Sequence, residues 1–120
     1  TVTTGVLAAG ATVETTINIA TGYRLLRIQT DVQARVRLYT TAAARTADAG
    51  RAIGTDPVGN HGLVFEYVTT ATLLTADLSP TVDGASMESP ASTAIPISIT
   101  NTGAGSVGSI TVTLTYIWTE

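Results

Sequence analysis

Val32-Gln-Ala-Arg-Val-Arg-Leu-Tyr-Thr40 decides the fold class, because its apolar and polar residues alternate without a break. Val32, Ala34, Val36 and Leu38 fall on one side; Gln33, Arg35, Arg37 and Tyr39 fall on the other. A period of two is the repeat of an extended chain, whose successive side chains leave opposite faces of a sheet. Strict alternation therefore predicts a strand with one face in a core and the other exposed or at an interface.

The same repeat continues in both directions. Upstream, Val13, Thr15, Ile17 and Ile19 alternate with Glu14, Thr16 and Asn18, and Thr21-Gly22 ends that strand. Tyr23 to Thr30 reads as the next strand, its facing ambiguous because Leu25 and Leu26 are both apolar. Downstream, Leu63 to Val68 places Leu63, Phe65 and Tyr67 on one face. Thr72 to Asp77 reads as a short strand, and Pro80 to Thr93 as irregular chain with a turn at Asp83-Gly84. Ala94 to Thr100 alternates Ile95, Ile97 and Ile99, and its Pro96 predicts a start at an edge or bulge. Ser109 to Thr119 carries Ile110, Val112, Leu114, Tyr116 and Trp118 on one face, and reads as a hairpin with the strand before it. The Ala-rich stretch Thr41 to Asp48 has helix propensity. Thr41 can cap it, Arg45 and Asp48 can pair at i,i+3, and Gly50 can end it. Seven or eight short strands with turns between them predict an all-β, antiparallel β-sandwich or jelly roll with one short connecting helix. Residues 1–120 read as a single domain.

Composition agrees with that class. Of 120 residues, 44% are hydrophobic and only 12% charged, the reverse of a disordered chain. Threonine fills the polar share with 24 residues, and branched side chains suit a pleated surface. The absence of cysteine excludes disulfide scaffolds, zinc ribbons and thiol nucleophiles. A single histidine, His61, excludes most imidazole metal sites. No apolar run approaches the length of a spanning helix, so no membrane is expected as a partner. Thr1 to Ala11 lacks the basic region of a signal peptide, and an initial threonine is what removal of Met would leave.

Charge is unevenly placed. There is no lysine, and all six arginines lie between Arg24 and Arg51. Residues 1–51 set them against Glu14, Asp31 and Asp48, a net +3, whereas residues 52–120 hold six acids and no base. Either the halves meet complementary fields on neighbouring copies, or they interleave within one chain. An acidic isoelectric point near 4.9 speaks against nucleic acid as a partner.

Several motifs raise chemistry that their surroundings do not support. Gly103-Ala-Gly-Ser-Val-Gly108 matches the dinucleotide fingerprint, but a period-two strand follows where a helix N-terminus is needed. Gly84-Ala-Ser-Met-Glu88 resembles a nucleophile elbow without its final glycine. His61 sits in a Gly-rich loop and reads as a local hydrogen-bonding residue, with no spacing that builds a triad on it. Asp77, Asp83 and Glu88 match no calcium loop and read as solvated. No catalytic, cofactor-binding or metal-ligating residues are therefore assigned. The most informative surface is the Gln33, Arg35, Arg37, Tyr39 row. It reads as an interface, because arginine and tyrosine are favoured at contacts, or as a solvated face with Arg stems covering their neighbours.

Gly22-Tyr-Arg-Leu-Leu-Arg-Ile-Gln-Thr-Asp31, Ala34-Arg-Val-Arg-Leu-Tyr-Thr40, Ala44-Arg-Thr-Ala-Asp-Ala-Gly-Arg51 and Gly54-Thr-Asp-Pro57 resemble small structural proteins of tailed bacteriophages. The resemblance runs from about Gly22 to Glu88. It implies a non-enzymatic virion component of a tail, fibre or baseplate, or a capsid decoration. Its partners would be itself, as a homo-oligomer such as a trimer, and other virion proteins. A carbohydrate-binding module is the alternative. Two exposed aromatics sharing a groove, among Tyr39, Tyr67, Tyr116 and Trp118, would favour sugar; aromatics buried at subunit contacts would favour assembly.

Overall fold

The computed structural model describes the whole chain, Thr1–Glu120. The alternating segments become strands β1 (Val2–Thr3), β2 (Thr12–Asn18), β3 (Gly22–Thr30), β4 (Ala34–Tyr39), β5 (Leu63–Val68), β6 (Thr75–Ala85), β7 (Ala94–Asn101) and β8 (Thr111–Trp118). One helix, α1 (Ala42–Ala47), follows β4. Two antiparallel sheets form, with strand orders β1-β8-β3-β6 and β2-β7-β4-β5. The pairs β1·β8, β2·β7, β3·β6 and β4·β5 are nested, first with last and inward to the middle. The chain is thus a long antiparallel ribbon, folded at residues 40–62 and wrapped around itself. That is the strand order of a jelly roll.

The inward faces meet in one core of 17 buried residues. Ile95, Ile97 and Ile99 of β7 and Val36 and Leu38 of β4 line it from one sheet; Leu25, Ile28, Val112 and Leu114 line it from the other. Burying each such side chain contributes about 1.5–3 kcal/mol. The ambiguity of Leu25 and Leu26 is settled by a β-bulge. Register shifts between Leu25 and Arg27 against both neighbouring strands, so that Leu25 and Ile28, three apart, are both buried.

Three local expectations are corrected. Residues 80–85 are strand, not irregular chain, because β6 runs through Pro80 at the edge of its sheet. Pro80 lies between Asp77 and Val82, opposite the β3 bulge, where no regular pairing needs its missing N–H. Asp83 and Gly84 are ladder positions facing Arg24 and Tyr23, not a turn. Pro96 sits in a central strand, but the β4 ladder stops at Ile97 and Pro96 pairs with Thr16 of β2 alone. β7 and β8 form no hairpin, since they belong to different sheets. The Gly-rich segment between them crosses the sandwich, held by Asn101. Its amide donates to the carbonyls of Leu7 and Gly105 at 3.0 and 2.9 Å, and its Oδ1 accepts from the Gly103 N–H at 2.9 Å.

The helix forms where propensity placed it. The Thr41 hydroxyl accepts from the Ala44 N–H at 3.1 Å, and the helix ends at Asp48 rather than at Gly50. Arg45 does not pair with Asp48; it reaches back to the Glu14 carboxylate and the Thr15 carbonyl.

Gly84 is required by close approach. A Cβ there would lie 2.6 Å from the ring of Tyr23, which is fully buried. Burial also pushes the Tyr23 phenol up to about 12. Gly84→Ala should therefore destabilise the fold by about 1–3 kcal/mol, read as a lowered urea midpoint at unchanged m-value.

Candidate functional site

β4 is the strand from which the site grows, because all six of its residues are buried. Ala34, Val36 and Leu38 enter the core. Arg35, Arg37 and Tyr39 leave the opposite face, as their alternation requires, yet they are only 4%, 1% and 0% exposed. The cover is the chain's own excursion. α1 packs across β4 and β7, and residues 48–55 continue over the outer face of β4 and β5.

Register and helix geometry supply the acids. Arg37 stands directly opposite Glu66 on β5, and the end of α1 delivers Asp48. Arg35 donates from Nε to Glu66 Oε2 at 2.5 Å and from Nη1 to the Arg51 carbonyl at 2.8 Å. Arg37 Nη1 donates to the Asp48 carbonyl at 3.0 Å and lies 3.5 Å from its carboxylate. The Tyr39 hydroxyl donates to Asp48 Oδ2 at 2.5 Å. Arg51 grips Asp48 with Nε at 2.8 Å and Nη2 at 3.1 Å, and donates from Nη1 to Glu66 at 3.0 Å and to the Thr55 carbonyl at 2.7 Å. Three guanidiniums and two carboxylates share one covered patch.

The electrostatics follow from that geometry. Burial alone would raise the Asp48 carboxyl, but hydrogen bonds from Arg51 and Tyr39 and the charges of Arg51 and Arg37 outweigh it and hold the group below the ordinary range. Burial opposes ionisation of Glu66 too, and bonds from Arg51 and Arg35 again prevail. Asp48 in turn holds the Arg51 guanidinium above its usual value against the cost of burial. Tyr39 is raised, first by burial and then by its bond to Asp48.

Arg35, Arg37 and Tyr39 thus share a face, and the chain's own excursion covers it. Gln33, at its end, donates to the Thr102 carbonyl at 3.0 Å. Other acids are engaged elsewhere: Asp77 with Arg27 at 2.5 Å, Asp83 with Arg24 at 2.7 Å, and Glu88 with the Ala42 N–H at 2.6 Å. The basic and acidic halves of the sequence interleave within one molecule. Sequence reading offered Asp48 only as a helix partner of Arg45, and did not single out Arg51 or Glu66. The i,i+3 spacing of Asp48 and Arg51, and the polar parity of Glu66 within β5, were the available signals.

The remaining motifs have structural partners. His61 Nδ1 accepts from the Leu63 N–H at 3.0 Å. Ser86 Oγ accepts from the N–H groups of Glu88 and Ser92, with no helix behind it. A cleft of about 400 Å³ opens between α1 and the following loop, bordered by Asp48, Arg51, Asp56, Asn60 and His61. Asp48 and Arg51, both half-buried, are tied to each other there. No family model, curated protein or solved structure matches this chain.

Removing one partner from a buried ion network strands the others, at about 3–5 kcal/mol. Arg37→Ala should lower the stability of the isolated chain by that amount, whereas Arg24→Ala, in an exposed pair, should leave the urea midpoint unchanged within error. The acids also set a pH window. Asp48 and Glu66 have lowered folded values, so their contribution is complete above the unfolded carboxylate range, about 4, and is lost as pH falls through the folded values. In a denaturation series from neutral pH downward, Asp48→Asn should be less stable than wild type at pH 7, with the difference shrinking below about pH 4.

Proposed function

We propose that the chain is a non-enzymatic structural component of a virion, of the tail, fibre, baseplate or capsid-decoration kind, acting through multivalent protein–protein contacts. The carrying observation is the jelly-roll strand order, an architecture that serves in capsid proteins; the placement of the aromatics bears on the alternative. Tyr39 is fully buried, Tyr67 is half-buried with its ring stacked 6.2 Å from Phe65, and Tyr116 is half-buried with its hydroxyl donating to the Ile19 carbonyl. Trp118 alone is exposed, at 76%. A sugar platform formed by two aromatics in a groove has no counterpart here, so the carbohydrate-binding alternative lacks a supporting observation. Jelly rolls serve in capsid and in lectin domains alike, and the fold cannot choose between them.

Exposed apolar side chains lie at both ends of the sandwich. Trp118 and Met87 are exposed at the end carrying the β2–β3, β4–β5 and β6–β7 connections; Val6 and Leu73 are exposed at the other. Contacts at both ends would let one copy touch more than one neighbour. The charge argument for a closed ring loses its basis, because the arginines are paired within the chain. Assembly would rest on apolar and backbone contacts instead.

Native mass spectrometry of the purified chain, paired with a glycan-binding screen, tests the proposal. Multi-copy species with no retained glycan are expected. A persistent monomer that retains a glycan would overturn it in favour of the sugar-binding alternative.

A further inference from the structure

We propose that β5 is the edge through which two copies of this chain join, its backbone pairing antiparallel with β5 of the second copy; this rests on the assembly function proposed above. An edge strand presents unpaired N–H and C=O groups that proteins usually guard. Three of the four edges are guarded. β1 has only two residues. β6 is interrupted by Pro80 and flanked by Asp77 and Asp83. β2 turns Thr12, Glu14, Thr16 and Asn18 outward, all polar and exposed. β5, Leu63-Val-Phe-Glu-Tyr-Val68, has no proline, glycine or lysine. Its one charge, Glu66, is turned to Arg35 and Arg51 of the same chain. Val68 is exposed beside it.

Hydrogen-bond parity gives the register. The Thr69 N–H donates to the Ala34 carbonyl, so Tyr67 and Phe65, at alternate positions, turn their backbone groups towards β4. Glu66 and Val68 therefore turn theirs to the open side. A second copy centred on Tyr67 would set Glu66 against Val68 of that copy, and Val68 against its Glu66. The two Tyr67 rings would come opposite one another and extend the Phe65–Tyr67 stack. Centring on Glu66 would instead oppose carboxylate to carboxylate. The Tyr67-centred contact is self-complementary, as a two-fold interface requires, and it makes one continuous sheet from two.

Sedimentation and amide exchange together test this. A dimer is expected at tens of micromolar, with the Glu66 and Val68 amides exchanging at least about tenfold more slowly than in dilute monomer. Val68→Glu would set a carboxylate opposite Glu66 of the second copy and should raise the dissociation constant at least about tenfold while the monomer keeps its far-ultraviolet spectrum. A chain that stays monomeric at those concentrations overturns the proposal. So does self-association that leaves both amides unprotected or ignores Val68→Glu; that result places assembly on another face and leaves the function proposed above standing. Should the variant fail to fold, the wild-type amides decide alone.

Discussion

A strand buried on both faces must find partners for whatever its alternation puts on the second face. β4 meets that constraint with arginine and tyrosine. Its inner side chains need only apolar neighbours, whereas Arg35, Arg37 and Tyr39 need acceptors in a place that excludes most water. Taking an ion out of water costs several kcal/mol, offset only as far as acceptors are supplied. The excursion between β4 and β5 bends α1 over the sheet so that Asp48 and the Arg51 and Asp48 carbonyls arrive as acceptors, while Arg35 Nη2 and Arg37 Nε stay without a partner. Glu66 completes the set from the neighbouring strand. An apolar patch of the same volume could be as stable, but it would not fix where the excursion lies. Forked guanidinium bonds to named oxygens do fix it.

The excursion is also the fold point of the nested ribbon. β4 and β5 are its innermost pair, and each outer pair spans a longer stretch of chain, ending with β1 and β8. The inner register is the one that opposes Arg37 to Glu66, and the excursion that turns the ribbon also covers the arginine row. It also shapes what remains available to partners. With its arginines paired in the chain, the molecule leaves single apolar side chains exposed at its ends and β5 at the edge of its sheet.

What could be read from the residues divides by range. Alternation is local, and Val36, Leu38, Ile95, Ile97, Ile99, Val112 and Leu114 all entered the core that their parity assigned. The Thr41 cap and the His61 bond to nearby backbone are equally local. The failures involve distant partners. Pro80 and Pro96 argued against regular strand, and each is accommodated because a neighbouring ladder is bulged or has ended there. The Gly-rich segment after Asn101 looked like a hairpin turn, since nothing near it in sequence reports that β7 and β8 serve different sheets. The Arg35–Arg37–Tyr39 row was read as an interface or as a solvated face, and its side chains lie buried against the chain's own excursion. An excursion that returns to cover its own sheet is visible only once Asp48, Arg51 and Glu66 are brought together in space.

Limited proteolysis with trypsin tests the clamp most directly, because every tryptic site lies between Arg24 and Arg51 and the chain has no lysine. A protease that must draw the arginine side chain into its own pocket cannot use Arg45 or Arg51 while both are held against the sheet, at 14% and 8% exposure. The native chain should resist cleavage after Arg45 and Arg51 and become susceptible only in denaturant. Rapid nicking at either position, with the sheets intact by circular dichroism, would contradict the clamp and leave the excursion as an ordinary surface loop.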